Sequence, residues 1–245
     1  MMVPIESIDP VKRSWSVYDD IAEEYALWGL DPNEIARSIA DCTRYSSGHA
    51  WLKTRAYKPT GVAIGCPLPD AEIQIELNGI CQRMDQRLRS IVGTIRPTFA
   101  MVPADWFHIT LVNFDHFDSK EVGAPIRRLS ASQFKMVRQV VSETACGPVE
   151  IELDGLVLNR GGRLLVKGHA LDARIFQLKE ALRSKLPFLQ TNFSIMTHIK
   201  LGHVVVTLNK HQSGELSEWL AHEGGQLKRM LRFEDVYTPT GRINL

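Results

Sequence analysis

The chain has 245 residues, 44% apolar and 8% aromatic, enough to bury one full core and a small accessory unit. Lys and Arg total 29 against 28 Asp and Glu, a net charge near +1, which excludes the global field that gathers proteins onto long polyanions or acidic membranes, so an anionic ligand has to be held by local charge. No stretch approaches the roughly 18 consecutive apolar residues of a membrane helix, and the start MMVPIESIDPVKRSW lacks a basic segment followed by an apolar run, so the expectation is a soluble, cytoplasmic, monomeric protein.

Residues 1–60 read as an N-terminal helical extension and residues 61–245 as the main domain. Tyr18, Ile21, Ala22 and Tyr25 recur at helical spacing. A second helix is announced by Asp31-Pro-Asn-Glu34, an N-cap aspartate, a proline at the first helical position and a glutamate at the third, with Ile35 and Ile39 turned inward. Ser46-Ser47-Gly48-His49 breaks the pattern, and Lys53, Arg55 and Lys58 crowd the approach to Gly61.

A short apolar strand, Gly61 to Cys66, and a Pro-Leu-Pro-Asp turn precede a long helix bearing Ile73, Leu77, Ile80, Met84 and Leu88. A strand from Trp106 to Phe114 follows. A helix from Ser130 to Thr144, with Phe134, Val137, Val140 and Val141 inward, leads into a strand through Val149 to Val157. The first order then returns: a strand from Arg163 to Ala170, a helix with Ile175, Leu178, Leu182 and Leu186 ending before Pro187, and a strand from Thr197 to Thr207. A helix from Glu215 to Met230 and a closing strand from Arg232 to Tyr237 complete the chain. The pattern predicts an α+β fold: two pseudo-symmetric strand-helix-strand lobes with antiparallel sheets around a central groove, helices outside, built as two sheets or one strongly curved one.

Each unit places a histidine early in its second strand. Strand side chains alternate faces, so His108 and Thr110 point one way while Phe107, Ile109 and Leu111 point the other; His198, Lys200 and Gly202 share a face opposite Ile199 and Leu201. Two imidazoles facing one ligand suit a reaction in which one takes a proton from a nucleophile and the other gives one to a leaving oxygen. Thr110 and Lys200 add a hydroxyl and a cationic donor for non-bridging phosphate oxygens. Such chemistry requires neither metal nor cofactor.

On these residues the sequence resembles the 2H phosphoesterase superfamily, of the LigT-like 2′,3′-cyclic phosphodiesterase / 2′-5′ RNA ligase type, which is defined by two H-x-[T/S]-x motifs. Trp106-Phe-His-Ile-Thr-Leu111 resembles the first motif, and Thr197-His-Ile-Lys-Leu-Gly202 resembles the second in its histidine, its hydrophobic spacing and its Leu-Gly. Gly61 to Asp70 with the following helix is similar to the start of that fold, so the resemblance spans about residues 61–240. It implies hydrolysis of a 2′,3′-cyclic phosphate or a 2′-5′ bond on a nucleotide or RNA-end substrate. His108 and His198 would be the acid/base pair, without assignment of which is which, and Thr110 and Lys200 the phosphate contacts. The departure is Lys200, where the family carries Thr or Ser. It leaves open a second reading, a nucleotide- or RNA-end-binding protein of the same fold with weakened catalysis.

Other chemistries find less support. His108, His116, His198 and His203 are zinc-type ligands, but His198 and His203 differ by five, which sends them to opposite faces of a regular strand. Cys42, Cys66, Cys81 and Cys146 show no CxxC spacing. No G-x-x-x-x-G-K-[S/T] loop for an ATP-dependent ligase is present. His116, His169, His203, His211 and His222 are assigned to structure or surface, Tyr237 and Phe114 to covering the core, and Arg127-Arg128 and the Lys53 to Lys58 run to solvated surface.

Overall fold

The computed structural model describes residues 9–45, 63–113, 129–144, 147–186, 188, 195–238 and 241–245. The sequence features at 46–62, Phe114, His116, Arg127-Arg128, Cys146 and Pro187 lie outside the described residues.

Helix α1 spans Pro10–Trp28, with Asp9 accepting from the Val11 amide at 3.0 Å, and α2 spans Pro32–Tyr45. Its cap is the predicted one: Asp31 Oδ1 accepts from the amides of Asn33 at 2.8 Å and Glu34 at 3.2 Å, satisfying donors that the first helical turn leaves orphaned. Tyr18, Tyr25 and Ile35 are buried as the spacing predicts, whereas Ala22 is exposed.

The main sheet begins with β1, Ala63–Pro67. Helix α3, Ala71–Val92, is capped by Asp70, which accepts from the Ile73 amide at 2.8 Å, and closes on Gly93 at φ 66°, a left-handed residue that glycine adopts without penalty. Its buried stripe includes Ile73, Leu77, Ile80, Met84 and Leu88. Strand β2, Phe99–Met101, follows, then a 3₁₀ turn at Ala104–Trp106 and β3, His108–Asn113. Helix α4, Ala131–Thr144, leads to the hairpin of β4, Val149–Leu158, and β5, Arg163–Ala170. Helix α5, Arg174–Lys185, and β6, Ile199–Val204, close the second unit.

The C-terminal elements differ from the sequence expectation. Helix α6 spans Lys210–Gly225 rather than 215–230, because Asn209 and Gln212 form a reciprocal capping box that starts it one turn and more earlier. Met230 therefore belongs to a strand, β7, Lys228–Phe233, which pairs with β4. The expected closing strand at 232–237 is two elements: the end of β7 and β8, Asp235–Thr238, joined by hairpin to β9, Gly241–Asn244.

One continuous antiparallel sheet results, in the order β7-β4-β5-β6-β3-β1-β8-β9, with β2 added on β6. The predicted pseudo-symmetry is visible in this order. Strands β1 and β3 flank α3, β5 and β6 flank α5, and the two units meet where β3 pairs with β6 at Ile109 and Ile199. Ile109, Ile199 and Leu201 are fully buried with the inner faces of α3, α5 and α6, so these helices cover the reverse of the sheet. The first half of α1 instead lies on the histidine side of the second unit. Tyr18 packs with Val157 and Leu165, and Leu165 is the direct cross-strand partner of Lys200.

Candidate active site

Ile109 opposes Ile199, so continuing the antiparallel register by one residue each way sets His108 opposite Lys200 and Thr110 opposite His198. All four predicted site residues thus occupy one patch on one face. Directly opposed Cβ atoms in such a pair lie about 4.5–5.5 Å apart and diagonal ones about 7–8 Å, so the two imidazoles stand on a diagonal with Thr110 and Lys200 on the other. All four residues are half-buried, while Ile109 and Ile199 between them are sealed in the core.

Alternation does not extend to Gly202. Two residues of β5, Leu164 and Leu165, face Gly202 and Lys200, so Leu201 is an extra residue and the face is reset beyond it. Gly202 is thereby turned away from the histidine side and onto Phe99 and Ala100 of β2; a Cβ there would approach the Phe99 ring to 2.5 Å. The same bulge brings His203 and Arg163 opposite one another.

His108 is held by its own strand. Its Nδ1 lies 2.7 Å from the Trp106 carbonyl, which can only accept, so Nδ1 carries the proton and Nε2 the lone pair. Thr110 Oγ1 lies 3.1 Å from Nε2 and donates to it. Beneath the ring is Gly65, the partner of Thr110 on β1; a Cβ at that position would stand 2.7 Å from His108 Cδ2 and 2.6 Å from the Ile109 carbonyl. Burial lowers the His108 pKa, the Trp106 carbonyl opposes this and Lys200 adds to it.

His198 immediately precedes β6, and its Nδ1 is buried without a hydrogen-bond partner among the described residues. Burial pushes its pKa down to about 3, reinforced by Lys179, Lys200, His108 and Arg163. Burial thus favours the neutral form of both imidazoles, and the charged side chains that add to this among the described residues, Lys200, Lys179 and Arg163, are cations. That is the local positive field which the overall charge balance cannot supply.

Several contributors escaped the sequence reading. The Trp106 carbonyl and Gly65 carry no side-chain signal beyond a glycine in an apolar strand. Lys179 of α5 is 1% exposed and donates to the Met196 carbonyl two residues before His198, with burial lowering its pKa to about 8. Tyr237, expected to cover the core, is instead 46% exposed. Strand β8 adds beside β1 with Tyr237 opposite Gly65, which places the tyrosine on the histidine face across the glycine from His108.

Of the remaining histidines, His169 and His203 are buried and His211 and His222 are exposed on α6. Cys66 and Cys81 are buried free thiols whose pKa burial raises to about 12. Among the described residues no three His, Cys, Asp or Glu side chains converge as a metal site would need, and no helix is long and apolar enough to cross a membrane.

No family model matches the chain, and no curated protein is similar to it. Among solved structures, the chain is similar to Usb1 of Kluyveromyces marxianus at 10% identity, over 76% of this chain and 97% of that one, with a TM-score of 0.44. The same yeast protein with uridine monophosphate matches at 11% identity over the same shares, again at 0.44. A conserved protein of unknown function, ATU0111 of Agrobacterium tumefaciens, matches at 14% identity over 84% of this chain and 97% of that one, with a TM-score of 0.41. At such scores the overlap is partial, and the strand order above stands on its own.

Proposed function

We propose that this protein is a metal-independent phosphodiesterase of the 2H phosphoesterase superfamily, hydrolysing 2′,3′-cyclic phosphate or 2′-5′ linked nucleotide or RNA-end substrates by paired-histidine acid/base catalysis. The observation that carries the reading is the β3–β6 register, which sets His108 and His198 on a diagonal with Thr110 and Lys200 beside them on the same face. Residues 90 positions apart in sequence meet only because the two strand-helix-strand units pair through their second strands.

The tautomer of His108 supplies the base: with Nδ1–H committed to the Trp106 carbonyl, Nε2 is the acceptor. The anionic phosphate turns the Thr110 hydroxyl from Nε2 to a non-bridging oxygen, freeing the lone pair. His108 then takes a proton from water as the water oxygen bonds to phosphorus. The bond from phosphorus to a ribose oxygen breaks, and His198 gives that oxygen a proton. The negative ligand is what lets His198 hold this proton near neutrality, since an opposite charge within a few ångströms favours imidazolium. Lys200 and Thr110 stabilise the charge on the non-bridging oxygens. Tyr237, exposed across Gly65 from His108, offers a ring on which a base can stack, an assignment resting on its strand position and exposure.

The second reading, a binding protein with weakened catalysis, is favoured by one observation: Lys200 and Lys179 add to burial in holding His198 neutral, which opposes its service as an acid. The deciding experiment is hydrolysis of 2′,3′-cyclic nucleotides and of an RNA with a 2′,3′-cyclic end, in EDTA, by wild type, His108→Ala and His198→Ala. The expected result is metal-independent turnover reduced about 10²–10⁴-fold in each variant. Binding of the same ligands without turnover in wild type selects the second reading.

A further inference from the structure

The pairing of β5 with β6 is regular at Val166 and Ile199 and stops there. Two residues further, Gly168 stands opposite Thr197, and the chain no longer follows a strand although His198 is the next residue. The ladder is replaced by side chains. Thr197 Oγ1 donates to the Gly168 carbonyl. From the other side of the sheet's junction, α1 delivers the Tyr18 hydroxyl, which donates to the Gly168 carbonyl at 3.3 Å and accepts from the Gly168 amide at 3.4 Å. The two hydroxyls thus meet on one acceptor, the Gly168 carbonyl.

The crossing is too tight for any residue but glycine: a Cβ on Gly168 would stand 1.9 Å from the Thr197 carbonyl oxygen. Tyr18 itself is 1% exposed and is held by aromatic packing, edge-on to His169 at 5.5 Å between centroids, with Trp15 against the same imidazole at 4.2 Å and tilted by 37°. Desolvation raises its pKa to about 12, so the phenol keeps its proton and remains a donor.

We propose that Tyr18 is a positioning residue for His198: its hydroxyl clamps the Gly168 peptide whose carbonyl also accepts from Thr197, and so fixes the anchor from which the chain enters His198. Helix α1 is on this account a working part of the catalytic unit and not an accessory to it. The proposal rests on the phosphodiesterase reading for its kinetic consequence, but its structural content concerns the His198 imidazole alone. Lys179 fixes the same segment from the opposite side through the Met196 carbonyl, so loss of Tyr18 misplaces the segment without releasing it.

The test compares Tyr18→Phe with Tyr25→Phe. Tyr25 is the other buried tyrosine of α1, bonded at 3.5 Å to the Ser213 carbonyl of α6, so its variant loosens the same helix away from the site. On 2′,3′-cyclic nucleotides, Tyr18→Phe is expected to lower kcat about tenfold with KM within about twofold, as a small misplacement of a catalytic group does. Tyr25→Phe is expected to leave both unchanged. Thr197→Val, which removes the other hydroxyl on the Gly168 carbonyl, is expected to reproduce the Tyr18→Phe phenotype and stands in should Tyr18→Phe fail to fold. Equal kcat in both tyrosine variants overturns the proposal. Imidazole NMR separates this failure from failure of the function: if wild type turns over no cyclic phosphate, a change in the His198 resonances in Tyr18→Phe but not in Tyr25→Phe sustains the positioning role. Unchanged His198 resonances in both variants overturn it.

Discussion

Replacing Gly65 with alanine tests the site's geometry through a residue with no side chain of its own. The new Cβ would meet the Ile109 carbonyl at 2.6 Å and His108 Cδ2 at 2.7 Å, against 3.4 Å for ordinary contact, so 0.8 Å and 0.7 Å must be found. The carbonyl belongs to the β1–β3 ladder, where Cys66 pairs with Ile109, and yields little. The His108 ring moves instead, straining its 2.7 Å bond to the Trp106 carbonyl. Overpacking of this kind costs about 1–3 kcal/mol, offset by about 0.5–1 kcal/mol because alanine suits a strand better than glycine, leaving a net loss of roughly 1–2 kcal/mol. A ring displaced by most of an ångström is expected to lower kcat/KM on cyclic phosphates about 10–100-fold. Urea denaturation reads the first number, steady-state kinetics the second, and the His108 imidazole resonances report the displacement whether or not the protein is catalytic. Gly65→Ala with wild-type activity and an unmoved His108 spectrum would refute the reasoning.

Asp85 is fully buried on α3 and accepts from the Thr98 and Phe99 amides at 2.8 and 3.2 Å while pairing with Arg89 at 2.7 Å, so Asp85→Ala is expected to cost about 3–5 kcal/mol in urea melts, and a loss below about 1 kcal/mol would contradict this account. The pKa values of His108, His169, His198 and His203 are all lowered by burial, so in acid the unfolded chain binds protons that the folded one refuses. Stability is therefore expected to be complete above the unfolded histidine value of about 6.5 and to fall with pH below it, the His198 contribution continuing to about 3; equal stability at pH 7 and 5 would count against it. Lys200→Ala removes a cation that lowers both site histidines, so an NMR titration is expected to show His108 and His198 each titrating at higher pH than in wild type, and unchanged titrations would separate Lys200 from the site.

Local periodicity carried much of the chain. The α3 stripe, the Asp31 cap and the apolar faces of β3 and β6 depend on neighbours three or four residues away in a helix or two away in a strand, and each is found where the spacing put it. The histidine pair was legible for the same reason, since the pleat fixes which residues share a face within a strand. What periodicity could not carry were the interruptions: the extra residue at Leu201 that turns Gly202 away, and the Asn209–Gln212 box that moved α6 toward the N-terminus. The first depends on a partner strand, and the second was hidden because the capping residues precede the apolar run by which the helix was recognised.

By itself the sequence determined the α+β class, the repeated strand-helix-strand order and which of the four candidate side chains share a face within each strand, because these follow from alternation along one chain. Only the tertiary structure decided that the two units join through β3 and β6, that β8 carries Tyr237 to the histidine face across Gly65, and that Tyr18 reaches a junction 150 residues away. Strand order and helix docking are set by which surfaces bury one another. Backbone groups such as the Trp106 and Gly168 carbonyls acquire their roles only when a distant side chain is brought within bonding distance, and no residue type announces that in advance.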